Sequence, residues 1–220
     1  MEHVIKYRHD LLNDKWVSTI VFPGLRNGFF IEAGATNGVN GSGTYILEKE
    51  LDWQGICVEP IPSQCKRIPE FRGCHSLNAC LYGATGDTVE FSLFPNRSGH
   101  SGITTLNKNL GKLKGEDVVT LHISTITLHD LLEKFDAPKI IHYLCLDTEG
   151  SEEEILSAFD FNGKYRILAV SIEGHACDEL MISSGYIQVK NPCTDATFES
   201  YFVHKTIVDK IPQELIKGSQ

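Results

Sequence analysis

The sequence predicts a single α/β domain with a mostly parallel sheet and helices on both faces, and three observations carry that expectation. Three short runs, Phe29-Phe30-Ile31, Ile56-Cys57-Val58 and Ile140 to Leu146, are apolar almost throughout, the pattern of strands buried on both faces. Helical stripes fall between and after them, with Leu128, Leu131, Leu132 and Phe135 at helical spacing, then Ile155, Leu156 and Phe159. Strand and helix therefore alternate, as βαβ units require. Helix starts are marked too: Thr127 precedes one stripe, and Ser151 with Glu154 three residues on forms a capping-box pattern before the other. Glu152, Glu153 and Glu154 then complement the dipole of a first turn.

The remaining elements follow in chain order. Residues 1–27 read as a helical approach, with Leu11, Leu12 and Trp16 near one face and a stop at Pro23-Gly24, packing on the sheet edge. Within residues 83–126, Thr88 to Phe94 and Val118 to Ile123 alternate with period two around a Gly/Ser/Asn-rich stretch. That predicts an inserted antiparallel hairpin region with a mobile loop. Ile167 to Ile172 reads as a further strand, and Gly185–Lys190 with Thr197–His204 as a hairpin closing the sheet.

Composition narrows the function. The chain has 220 residues, with Lys plus Arg 20 against Asp plus Glu 29 and a net charge of −9. No basic cluster stands out to displace phosphate counterions, so nucleic acid is not the expected partner. At 41% hydrophobic and 22% charged it is too apolar for disorder and too interrupted for a membrane span. A chain of this length is expected to bury roughly 70% of its unfolded surface as one domain. The start, Met1 to Arg8, lacks the apolar run of a signal peptide, which makes the cytoplasm the expected location. Seven cysteines, an odd number without a Cys-x-x-Cys pair, read as reduced core residues and not as disulfides or a zinc site.

The most informative stretch is Phe29 to Gly41, a buried strand running into a glycine-rich turn and then a helix. Such a turn sits at the carboxyl edge of an open sheet, where nucleotides bind. The dinucleotide pattern Gly-x-Gly-x-x-Gly is broken, because Thr36 stands at its second glycine, so NAD is demoted without being excluded. The turn offers instead Glu32 at the strand end and Gly34-x-x-x-Gly38. Glu59 ends the second strand about 20 residues further on, the spacing at which a carboxylate accepts both hydrogen bonds of a ribose diol. These features describe a nucleoside site without a pyrophosphate, and S-adenosylmethionine is the common cofactor that fits.

With those residues in view, the sequence resembles the FkbM-type methyltransferases, within the class I S-adenosylmethionine-dependent enzymes. The resemblance covers Glu32 to Gly38, Ser42 to Glu48, Trp53 to Pro60, Asn78-Ala79, Ser101-Gly102-Ile103, Leu146 to Glu152 and Ile172-Glu173, in the family's order. The run Asp147-Thr148-Glu149-Gly150-Ser151-Glu152 after a buried strand is its most specific piece. The family more often has Asp at the position of Glu32. The resemblance implies a Rossmann-like domain with a seven-stranded sheet. It also implies that Glu32, Gly34, Ala35, Asn37 and Gly38 hold the methionine portion, joined by Thr36 and Thr44. Glu59, beside Pro60, takes the ribose hydroxyls, and Asn78 with Ala79 lies beside the adenine.

Asp147, Glu149, Glu173 and His175 stand at or just past the ends of two strands expected next to that turn. Their side chains are expected to converge over the transferable methyl, with Asp147 and Glu149 also beside the cofactor. Asp147, Glu173 or His175 is then the expected base that removes the acceptor proton. The same oxygens suit Mg²⁺, but clustered carboxylates that order a cap and a loop are the expectation, and no metal is assigned. The loop from Pro95 to Gly102 reads as a lid, with Arg97 and His100 expected to be solvated loop residues. The reading that results is an O-methyltransferase acting on a hydroxyl of a sugar or secondary metabolite, with no membrane partner. Two rivals stay open: an NAD-dependent oxidoreductase and a non-catalytic cofactor-binding module.

Overall fold

The computed structural model describes residues 5–218. Its frame is a seven-stranded sheet built from β1 (Phe29–Ala33), β2 (Gln54–Val58), β3 (His75–Leu77), β8 (Ile140–Leu146), β9 (Arg166–Glu173), β10 (Tyr186–Val189) and β11 (Glu199–His204). The order across the sheet is β10-β11-β9-β8-β1-β2-β3. Pairing is parallel from β3 through to β9, whereas β11 runs antiparallel to β9 and to β10. The expected closing hairpin is thus present, and it makes the sheet mixed.

Both faces are covered because side chains alternate along each strand. On β1, Ile31 and Ala33 join one apolar core while Phe30 joins the other. The first core is completed by α5 (Leu128–Lys134), α6 (Glu152–Ser157) and α7 (Asp178–Ser183), through Leu131, Leu132, Ile155, Leu156 and Met181. The second is completed by α1 (Asn13–Trp16), α2 (Tyr45–Leu51), the turn α3 (Pro62–Cys65) and α4 (Ile68–Phe71), through Trp16, Leu47, Cys65 and Ile68. The N-terminal helix continues as a π-helical turn over Val17–Val21. It lies on the sheet face, not on its edge, because Trp16 has two flat sides to bury and stacks edge-on against Tyr143 of β8 and Tyr201 of β11. Residues 1–4 of the expected helical approach lie outside the described residues, and residues 5–12 are not helical.

The insertion forms a second sheet of β4 (Cys80–Leu81), β5 (Thr88–Leu93), β6 (Gly102–Ile103) and β7 (Val119–Ile126), in the order β4-β7-β5-β6. β5 and β7 pair antiparallel from Thr88↔Ser124 to Leu93↔Val119, the hairpin that the period-two alternation predicts. All seven cysteines are free.

Of the two expected caps, one forms. Thr127 Oγ1 accepts from the Asp130 backbone N–H at 3.1 Å. The capping box at Ser151 does not form, since the Ser151 hydroxyl donates to Thr148 Oγ1 at 2.9 Å and Glu154 Oε2 is buried without a partner. Glu152 also does more than complement a dipole. Its Oε1 accepts from the Thr148 backbone N–H and hydroxyl at 2.8 and 2.7 Å, and its Oε2 from the Gly150 N–H at 3.1 Å, so it braces the loop after β8.

Candidate active site

The chain order reverses across the β1/β8 boundary, the switch point at which open α/β sheets hold ligands beyond their carboxyl ends. Here a cavity opens between the two sheets. One wall is the turn after β1 and the end of β2, with Gly34, Thr36, Glu59 and Pro60. The opposite wall is Leu81, Phe91 and Ile103 of the second sheet, and the third side is Asp147, Thr148 and Glu149 after β8. No Lys or Arg is among the residues that line it.

Glycine is demanded at position 34. Its φ is +82°, and a Cβ there would sit 1.8 Å from the Asp147 carbonyl oxygen, so β1 and β8 exit side by side only without a side chain. Thr36 also takes a positive φ of 47° and presents its N–H to Glu59 Oε2 at 2.7 Å. Glu59 Oε1 accepts from the Ile61 N–H at 2.8 Å. Each oxygen keeps a second lone pair for a ligand, and burial pushes the carboxyl up to about 7.

The other turn residues play a different part. Glu32 is buried and fully engaged: Oε1 accepts from the Gly43 N–H at 2.6 Å, and Oε2 from the Ser42 and Thr44 hydroxyls at 2.9 and 2.7 Å. Glu32 and Thr44 therefore shape the loop from behind and do not line the cavity. Asn37 Oδ1 accepts from the Val39 and Asn40 N–H groups at 3.1 and 2.9 Å, an Asx turn that fixes the approach to Gly38. Ala35 packs into the second core. Asn78 donates to the Glu59 and Pro60 carbonyls, both at 2.8 Å, and so supports the cavity's rim, whereas Ala79 lines it.

Three of the four expected acceptor-side residues converge. Asp147, Glu149 and Glu173 bring carboxylate oxygens within 4.8 Å of one another, the spacing at which they could also hold a hard cation. Burial first, then Glu173 and Glu149, holds Asp147 well above the usual carboxylate range. Burial followed by Glu149 pushes Glu173 up to about 7. Two such neighbours cannot both ionise cheaply, which leaves a carboxyl able to take a proton near neutral pH. His175 does not join them. Its Nε2 is 2.7 Å from the Thr197 carbonyl oxygen and its Nδ1 is 2.7 Å from Ser200 Oγ, so both ring nitrogens are occupied on the far side of β9.

The chain beyond the expected lid, Pro95 to Gly102, is docked on this cluster through Asn109. Asn109 Nδ2 donates to Glu149 Oε2 at 2.7 Å, and Arg97 pairs with Glu116 at 3.3 Å across the loop. Replacing Asn109 with alanine should raise amide hydrogen exchange over residues 98–117 while β5 and β7 stay protected; unchanged exchange there would remove Asn109 as the latch. Missed in the sequence were Leu81, which lies outside the segments read as strands, Phe91, whose one signal was strand alternation, and Arg72, a single basic residue in a loop.

The sequence profile described as the methyltransferase FkbM domain matches residues 32–180. No curated protein matches the chain in sequence. Among solved structures, precorrin-6y C5,15-methyltransferase from Geobacter metallireducens GS-15 is similar at 12% identity and a TM-score of 0.42, over 87% of this chain and 85% of that one. M. capricolum TrmK, solved with S-adenosyl-homocysteine, is similar at 9% identity and a TM-score of 0.40, over 91% and 68%.

Proposed function

The chain belongs to the FkbM methyltransferase family and is an S-adenosylmethionine-dependent methyltransferase, and from that premise we propose that it methylates a hydroxyl oxygen on a small-molecule or glycan acceptor, a sugar or secondary metabolite, in the cytoplasm. The observation that carries the proposal is a carboxyl cluster, Asp147, Glu149 and Glu173, two of whose members line the same cavity as Gly34 and Glu59. The cavity fits the cofactor on three counts: Glu59 has free lone pairs for a ribose diol, Gly34 leaves room against the backbone, and the lining holds no cation for a pyrophosphate. That lining, like the family, speaks for methyl transfer over hydride transfer with NAD.

When bound, the cofactor supplies an electrophilic sulfonium methyl. Glu59 orients the ribose, and the turn from Gly34 to Gly38 receives the methionine portion. Asp147 or Glu173 accepts the acceptor's proton as its oxygen is aligned for in-line attack, while the second sheet and the loop over Glu149 exclude water. Among the described residues no helix is long and apolar enough to cross a membrane, and the acidic charge disfavours nucleic acid as partner.

Incubation with methyl-labelled S-adenosylmethionine and fractionated host metabolites, glycans, proteins and nucleic acids tests the proposal. Label is expected in a hydroxyl-bearing metabolite or saccharide fraction. Asp147→Asn should bind S-adenosylhomocysteine within several-fold of wild type and lose most of that labelling. Label confined to protein or nucleic acid, or undiminished turnover in Asp147→Asn, overturns it.

A further inference from the structure

We infer that Arg72 is a positioning residue for the methyl donor: its buried guanidinium clamps the segment from Gly38 to Thr44 from behind and so holds in shape the turn from Gly34 to Gly38, which receives the amino-acid end of the cofactor. The inference rests on the cofactor placement proposed above and concerns a residue outside the glycine turn. Arg72 follows α4, and its side chain is wholly buried. Nη1 donates to the Gly38 carbonyl at 2.8 Å and to Ser42 Oγ at 3.2 Å, Nη2 donates to Thr44 Oγ1 at 3.0 Å, and Nε donates to Glu48 Oε2 at 2.7 Å. Glu32 Oε2 lies 3.6 Å from Nη1, and the guanidinium sits over the rings of Phe30 and Tyr45 at 5.3 and 5.7 Å.

One planar cation thus ties together the end of the turn, the loop after it, the first turn of α2 and the acidic residue of β1. The geometry uses the fixed fork of guanidinium, and an ammonium cannot reproduce it, because its donors radiate from one point. Buried Glu32 and partly buried Glu48 also call for a neighbouring positive charge, and Arg72 is the cation they share, Glu48 pairing with Lys49 as well. Gly38 is packed against it, since a Cβ at that position would meet Arg72 Cγ at 3.1 Å. If Arg72 moves, the Gly38 carbonyl and the Ser42 and Thr44 hydroxyls lose their common partner, whereas Glu59, held by Thr36 and Ile61, does not. The loss should therefore fall on the amino-acid end of the ligand and spare the nucleoside end.

Two ligands separate these ends: S-adenosylhomocysteine, and methylthioadenosine, which lacks the amino-acid portion. By calorimetry, Arg72→Lys should weaken S-adenosylhomocysteine roughly tenfold or more and methylthioadenosine by less than about threefold. Guanidinium ion added to Arg72→Ala should restore part of the loss. Glu48→Gln, which replaces the charged acceptor of Nε by a neutral amide oxygen while keeping the cation, should give the same selectivity at a smaller size, and it serves where the arginine variants do not fold. Equal weakening of both ligands, or wild-type affinity in Arg72→Lys or Glu48→Gln, overturns the positioning role. Failure of the wild-type protein to bind S-adenosylhomocysteine overturns the cofactor reading itself and this inference with it.

Discussion

Gly34→Ala is expected to abolish S-adenosylhomocysteine binding and to lower the melting temperature by roughly 10 °C. The added Cβ would overlap the Asp147 carbonyl at 1.8 Å, on a residue whose φ is +82°. Backbone on both sides leaves no flexible side chain to yield, so the cost combines positive-φ strain with overpacking, on the order of 4 kcal/mol. At about 2–4 °C per kcal/mol for a chain of this size, that produces the stated shift. Gly41→Ala is the matched control. Its φ is +69°, but nothing lies within 4 Å of the added Cβ, so only the backbone cost of about 1 kcal/mol applies. Thermal melts and calorimetry on both variants decide the matter: if Gly34→Ala behaves like Gly41→Ala, the close approach of β1 and β8 is not what shapes the site.

The second large effect is on pH. Glu59 is held at about 7 in the folded protein, against an ordinary value of 4.5, because burial disfavours its charged form. A carboxyl raised on folding stabilises most at low pH. The contribution is fully present below 4.5 and is lost as pH rises to about 7, a difference of roughly 3 kcal/mol. Ribose binding works the other way, since two hydroxyls donate best to a carboxylate. S-adenosylhomocysteine affinity should therefore rise about tenfold per pH unit below 7 and level off above it, with a proton released on binding. The slope should vanish in Glu59→Gln and persist in Glu173→Gln, which removes the other carboxyl pushed up to about 7. A flat affinity profile in the wild-type protein would mean that Glu59 does not accept the ribose in its ionised form.

Much of this was legible because the relevant signals are local. Continuous apolar runs gave β1, β2 and β8 within a few residues, and period-two alternation gave the β5/β7 hairpin. Thr127 caps as its neighbours suggest, since an N-cap is decided within one turn. Ser151 followed the same pattern and failed because Glu152 and Thr148 compete for the loop, a tertiary effect. In the site, Gly34, Glu59, Asp147, Glu149 and Glu173 meet as their places at strand ends implied. His175 sits at such an end too, yet Ser200 and the Thr197 carbonyl of the adjoining β11 segment claim its ring. Glu32 looked like a ligand by position, but strand alternation turns it toward the second core, where Ser42, Thr44 and Arg72 consume it. Arg72 was invisible because its hydrogen-bond partners lie 24 to 34 residues earlier in the chain and meet it only after the sheet forms.

Isothermal titration of S-adenosylhomocysteine into wild type and Glu59→Ala at pH 8 tests the central claim most directly. Saturable one-to-one binding to the wild-type protein is predicted, with none to a Glu59→Ala variant that melts cooperatively. Wild-type affinity in Glu59→Ala, or a wild-type protein that ignores S-adenosylhomocysteine while reduced nicotinamide dinucleotide raises its melting temperature, would contradict the account.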